Sequence, residues 1–174
     1  MSWRILSNHF INTLNLIIMK KLFLMMAVAI MSLGMISCAT ESDKQCKQIA
    51  DAMLAGNVEE VANLTNALYS NPGDSKARNF ADLSIAFNYL ANQAQDNVTR
   101  YDYAQKVVDC YKKAVAADEG VAAKCYEVAK MDMASIAAQY EQMFPQFEAA
   151  IAAEQAAAQA QEEAAEGEEE VVEE

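Results

Sequence analysis

The residues of this 174-residue chain best suited to covalent chemistry are its four cysteines, Cys38, Cys46, Cys110 and Cys125. A thiol can be acylated, can form a disulfide, or can act as a nucleophile when its surroundings lower its pKa. No two of these cysteines have the C-x-x-C spacing of a zinc ribbon or a thioredoxin-like site. The only histidine, His9, lies near the start of the chain, so the most common general base is absent from the rest of the sequence.

Cys38 ends a segment with the composition of an export signal. Lys20 and Lys21 precede an apolar run, Leu22 to Ile36, broken only by one serine and one glycine. The run is too short for a membrane span, which needs about 20 apolar residues. It matches the apolar region of a secretory signal peptide, which has about 7–15 residues. We therefore predict that residues 19–37 are a signal peptide.

Two processing routes fit the end of this signal. Cleavage after Ala39 would use the small residues Ser37 and Ala39. Alternatively, the sequence Met35-Ile36-Ser37-Cys38 resembles the lipobox of bacterial lipoproteins, in which a small residue precedes an invariant cysteine, although Met35 stands where leucine is usual. The resemblance implies that Cys38 is acylated and becomes the first residue of the mature chain. Residues 38–42 would then be a short tether.

Residues 1–18 do not resemble part of a mature domain, and we interpret them as an over-extended reading frame, with translation starting at Met19. The competing interpretation is a retained hydrophobic anchor from Phe10 to Ile36. That anchor would place Lys20 and Lys21 inside the membrane, at a cost of about 2.5–3.5 kcal/mol each.

Charge along the chain limits the class of partner. After residue 37 there are 10 bases and 25 acids, a net charge of −15. From Met131 onward there are 12 acids and no base, so the excess lies at the C-terminus. Nucleic-acid binding is disfavoured because it requires a basic surface.

The segment from Ser42 to about Gln161 has helical composition and no alternating strand pattern. Ser42 and Gln45 resemble a capping box that would open the first helix. Turn signals at residues 55–57, 71–74 and 118–120 separate the helices. Short connections predict antiparallel packing. The predicted helices are 43–54, 58–69, 75–95, 102–117 and 121–144, with Pro145 expected to kink or end the last.

The predicted fold is therefore an all-α domain over residues 43–151, built from antiparallel helical hairpins. Residues 152–174 are rich in alanine and glutamate and low in complexity. They favour helix but offer no wide apolar face. We expect an exposed helix to about Glu163, followed by a disordered acidic tail.

Two segments resemble tetratricopeptide (TPR) units. Phe87, Leu90 and Ala91 follow the first-helix pattern, while Tyr111 and Ala114 follow that of the second helix. The intervening loop is longer than in the family, and Glu119 replaces the closing proline. A TPR-like array and an irregular helical bundle both remain open.

A short residue pattern that occurs twice raises the question of a disulfide. Cys110-Tyr111-x-x-Ala114 recurs as Cys125-Tyr126-x-x-Ala129 on the other side of the turn at residues 118–120. In an antiparallel hairpin the two cysteines would be offset by about 4.5 Å along the axis, near the distance that a disulfide requires. A Cys110–Cys125 bridge and two free thiols remain open alternatives.

These observations predict a non-enzymatic lipoprotein of a bacterial cell envelope, facing the periplasm or the exterior. It would contact the membrane through acyl chains on Cys38 and would offer a helical interaction or scaffold surface to a protein or peptide. We expect no catalytic residues, metal or cofactor, since the sequence has no nucleophile motif, phosphate loop or metal-ligand spacing. The alternative is a secreted or periplasmic ligand-binding or stress protein without a lipid anchor.

Overall fold

The computed structural model describes residues 40–169, with side chains described to residue 159. Every regular element in this part of the chain is a helix, so the predicted all-α class is confirmed. The predicted leader, the over-extended N-terminus and Cys38 lie outside the described residues. The helices are α1 (Glu41–Ala55), α2 (Val58–Ser70), α3 (Ala77–Gln93), α4 (Asn97–Ala129) and α5 (Met133–Glu169).

The first helix begins two residues before the predicted domain boundary. Thr40 caps α1, because its hydroxyl accepts from the Asp43 N–H while the Asp43 carboxylate accepts from the Thr40 N–H. The capping box predicted at Ser42 is therefore wrong. Ser42 is instead buried, and its hydroxyl donates to Asp74 Oδ1 at 2.7 Å. The last predicted tether residues thus belong to the folded domain.

Helix α3 lies at the centre of the fold. It packs against α1, α2 and α4, and the side chains from Ala81 to Ala91 are all buried. Phe87, with no exposed surface, packs edge-to-face on Tyr69 of α2, with ring centroids 5.3 Å apart. A helix surrounded in this way carries apolar residues on every side, with a few polar residues that must find partners inside the protein.

Helix α4 is folded back on itself at Asp118. The backbone there is extended (φ −167°, ψ 102°), and the Asp118 carboxylate caps the following turn by accepting from the Val121 N–H at 3.0 Å. The rings of Tyr111 and Tyr126 lie 5.9 Å apart, whereas 15 residues of straight helix would separate them by about 22 Å. The turn predicted at residues 118–120 is confirmed.

The predicted fifth helix, residues 121–144, is in fact interrupted. Lys130 adopts a left-handed conformation (φ 52°) and ends α4, and Asp132 then caps α5 by accepting from the Ser135 N–H. The sequence does not signal this stop, because glycine and asparagine are the usual residues at such a position. Lysine gave no indication of it.

The sequence predicts that Pro145 kinks or ends the helix; it does not end it, since α5 continues to Glu169. A proline inside a helix removes one backbone hydrogen bond and crowds the preceding turn. Packing on both sides of it offsets that cost, because Tyr101 of α4 contacts both Phe144 and Phe147. The backbone is helical for six residues beyond Glu163, where disorder was expected, and residues 170–174 lie outside the described part. The side chains of residues 152–159 are exposed, as predicted for that stretch.

Candidate functional site: a groove between α3 and α5

The described cysteines are all free thiols. Cys46 and Cys110 are buried and Cys125 is half-buried. The Cys110–Cys125 bridge, one of two alternatives from the sequence, is therefore not formed in this structure, although the Asp118 turn brings the two halves of α4 together. Burial raises the pKa of Cys110 to about 12 and that of Cys125 to about 11. Thiols of such high pKa are poor nucleophiles at neutral pH.

The two cysteines also face different surroundings. Cys110 lies in the apolar core with no exposed surface. Cys125 lies near enough to Asp82 and Arg78 on α3 for both charges to affect its pKa. Acylation of Cys38 stays a prediction, since Cys38 lies outside the described residues.

A groove of about 480 Å³ lies between the second half of α3 and the first half of α5, beside the start of α4. Its walls combine apolar and polar side chains. The apolar residues are Ala91, Ile136, Met143 and Phe147, and the polar ones are Asn88, Asn92, Arg100, Gln139 and Tyr140.

Hydrogen bonds fix the floor of the groove. Asn88 is buried, and its Oδ1 accepts from the Tyr140 hydroxyl at 3.0 Å, which joins α3 to α5. One turn further, Asn92 Nδ2 donates to the Asn88 carbonyl at 2.7 Å. The side chain of Asn92 is exposed, and its amide oxygen can accept a further hydrogen bond. Burial raises the pKa of Tyr140, so this phenol stays neutral and donates.

Arg100 is the one charged residue of the groove lining. It lies in the first turn of α4, and its Nη2 donates to the carbonyl of Ala94, directly after α3, at 2.7 Å. It is half-buried, yet no carboxylate lies within 4.0 Å of it among the described side chains. Arginine has five N–H donors, so most of its hydrogen-bonding capacity is available to a ligand.

Contacts between α4 and α5 hold the outer wall. The ring centroid of Tyr101 lies 5.4 Å from that of Phe144 and 5.9 Å from that of Phe147, and the Tyr101 hydroxyl donates to Glu148. Phe147 is buried as a result. Met143, on the same wall, remains 40% exposed at the rim.

The sequence did not reveal the groove. Asn88 and Asn92 are spaced one helical turn apart, which is the only local signal that their amides share a face. The groove also depends on where α5 lies against α3. That position is set by the end of α4 at Lys130, which the sequence did not predict.

A second polar cluster is buried between α1 and α3. Asp82 is 4% exposed, and its Oδ2 lies 3.9 Å from Arg78 Nε, while its Oδ1 has no hydrogen-bond partner. Burial raises the pKa of Asp82 to about 7. Next to it, Asn79 donates to Asp43 Oδ1 at 2.9 Å. Asp82 and Asn79 are both buried, so we assign the cluster to the packing of α1 against α3.

A third cluster surrounds Lys106 of α4. Its Nζ lies 5.6–5.8 Å from the ring centroids of Tyr69, Phe87 and Tyr103. The same ammonium donates to Asp102 Oδ2 at 2.7 Å and to Asn66 Oδ1 at 2.9 Å. Three aromatic faces and two oxygens thus enclose this cation.

No group of three or more cysteine, histidine, aspartate or glutamate side chains in the described part of the chain is arranged to hold a metal ion. Within residues 40–169, no helix is both long and apolar enough to cross a bilayer. Comparison with family models, curated proteins and solved structures found no match to this chain.

Proposed function

We propose that this protein is an exported lipoprotein of a bacterial envelope whose helical domain binds a protein segment in the groove between α3 and α5. It acts as a non-enzymatic interaction or scaffold module. The observation that carries the binding function is the groove of about 480 Å³, with apolar walls, outward amides and an arginine free of any described carboxylate. Binding sites commonly combine an apolar lining with a few placed polar groups.

A protein segment suits the lining better than a purely apolar ligand. Asn92 and Gln139 offer amide groups that can pair with the N–H and C=O groups of a peptide backbone. A hydrocarbon would cover these amides without replacing their bonds to water, which costs free energy. The resemblance of residues 86–119 to a TPR hairpin supports the same class of ligand by analogy of fold.

The lipid anchor on Cys38 is proposed from the predicted signal peptide, residues 19–37. Folding begins at Thr40, two residues after Cys38, so an acylated Cys38 would hold the domain directly against the membrane surface. The substitution Cys38→Ala, or treatment with the signal-peptidase inhibitor globomycin, tests this part. We expect the acyl label and membrane fractionation to be lost, and retention of both would refute lipidation. Secretion without an anchor, the alternative, predicts no label in the unaltered protein.

A large side chain introduced into the groove tests whether peptides bind there. Gln139 lies on α5, exposed at the groove, and Gln142 is exposed on the same helix outside the lining. Gln139→Trp should abolish the binding of peptides selected on the native protein, while Gln142→Trp should leave it unchanged. Equal binding by both variants would show that the peptides are held elsewhere.

A further inference from the structure

The groove holds a cation that the protein itself does not neutralise. Five of the described lysines lie within 4.0 Å of an acid, whereas the half-buried side chain of Arg100 has only the Ala94 carbonyl. Arg100 is half-buried, so its charge is less screened by water than that of a surface lysine. Partial burial without a counter-ion is costly, and an anionic ligand would remove that cost.

The lining around Arg100 contains no acid, although the whole chain has a net charge of −12. The other side chains of the lining are apolar or carry a neutral amide or phenol group. The groove is therefore a positively charged recess in an acidic protein. Complementary charge of this kind selects ligands and fixes their register.

The apolar wall gives the length of the ligand. Ile136 and Phe147 mark its ends along α5, 11 residues apart. This separation corresponds to about 16 Å of helix. An extended peptide rises about 3.3 Å per residue, so about five residues fill the wall.

From this arrangement we infer that the groove takes an extended segment of about five residues, in which one acidic side chain flanked by apolar residues pairs with Arg100. This rests on the proposed binding function and specifies its ligand. The acidic side chain accepts from the free N–H groups of the guanidinium. The flanking residues cover Ile136, Met143 and Phe147, and the backbone pairs with the amides of Asn92 and Gln139.

The test uses two series of pentapeptides that are N-acetylated and C-amidated, so that terminal charges are absent. Each contains apolar residues around one central position, which is Glu or Asp in one series and Gln or Asn in the other. Affinity for the naturally processed protein, purified in lipid nanodiscs, is measured by fluorescence polarisation. We expect the acidic series to bind at least about tenfold more tightly, with a preference that weakens as salt is added.

The variants assign that preference to Arg100. In Arg100→Gln the two series should bind within about threefold of each other, and Arg100→Lys should recover part of the difference. Lys124→Gln removes the same charge from an exposed site outside the groove lining and serves as the matched control. It should keep the full preference. Circular dichroism of each variant shows that the domain is folded.

The outcomes separate this inference from the proposed function. If both series bind equally well to the native protein and are blocked by Gln139→Trp, the groove binds peptides and the acidic requirement is wrong. The same requirement is wrong if the preference survives in Arg100→Gln. If sodium dodecanoate displaces the acidic peptides and binds more tightly than any of them, the ligand is a fatty acid. If neither series binds at any concentration tested, both the inference and the proposed binding function fail.

Discussion

Two cations on α4, Lys106 and Arg100, are both partly buried but differ in how fully they are bonded. The ammonium of Lys106 lies over three aromatic rings and donates to Asp102 and Asn66, so its hydrogen-bonding capacity is used within the protein. Arg100, six residues earlier, contacts one carbonyl at the edge of an open groove. The difference distinguishes a cation that joins helices from one that is available to a ligand.

The same difference divides α3 into two regions. The first half of α3 is enclosed by α1, α2 and α4, and Phe87 in the second half is enclosed with it. The polar groups of this enclosed region face other parts of the same chain. Its second half carries Asn88 and Asn92 to the groove floor. We therefore expect substitutions in the first region to affect mainly stability, and those in the second to affect mainly binding.

The largest expected effect is at Phe87. Phe87→Ala removes a fully buried ring that contacts Tyr69 and forms one wall around Lys106. We expect a loss of about 3–5 kcal/mol in the free energy of unfolding, measured by urea denaturation. Met143→Ala, at the groove rim, is the contrast and should cost about 0.5 kcal/mol or less. Equal losses would remove the distinction between the two regions.

Asp82 should make the enclosed region sensitive to pH. Its pKa is raised from 3.8 to about 7 by burial, so the folded state binds a proton that the unfolded state releases. The stability contributed by the protonated form is complete below about pH 4 and is lost as pH rises to about 7. Asp43 and Arg78 face the same cluster, and the pKa of Asp43 is lowered.

Asp82→Asn isolates this effect. From pH 5 to pH 8, the unfolding free energy of the native protein should fall by roughly 2 kcal/mol more than that of the variant. Urea denaturation at the two pH values, compared with Asp51→Asn at an exposed site, gives the difference. If the two variants show the same pH dependence, Asp82 is ionised at no cost inside the fold.

Substitution of Lys106 should lower the free energy of unfolding by less than substitution of Phe87 and by more than substitution of Arg100. Lys106→Met keeps an apolar stem among the rings and removes the charge, so we expect a loss of about 1–2 kcal/mol in the free energy of unfolding. Thermal denaturation and urea titration measure it. Lys112→Met, at an exposed lysine that pairs with Glu141, should cost about 0.5 kcal/mol or less.

The smallest stability effect is expected at Arg100. Arg100→Gln loses one hydrogen bond to Ala94 but relieves a charge without a counter-ion, so unfolding free energy should change by about 0.5 kcal/mol or less. Denaturation in parallel with Lys106→Met provides the comparison. A loss as large as that of Lys106→Met would indicate that Arg100 is a structural residue, and would weaken its assignment to a ligand.

Much of the fold could be predicted because its signals are local. Apolar spacing and turn residues located α1 to α3 and the turn at Asp118 within a few residues, since a helix repeats at a fixed period and glycine, proline and aspartate mark its ends. The stop at Lys130 had no such signal. Continuation through Pro145 depends on Tyr101, more than forty residues earlier, packing on Phe144 and Phe147.

The sequence by itself determined the helical class and the acidic C-terminus, because each depends on composition and short-range spacing. The export signal over residues 19–37 stays a prediction from the same kind of local pattern. The tertiary structure decided which polar residues have partners. Arg100 and Lys106 are both bases near the start of one helix and cannot be told apart in the sequence. Only the packing of α2, α3 and α5 around α4 encloses one ammonium in aromatic rings and leaves the other cation facing a groove, since such contacts join residues far apart in the chain.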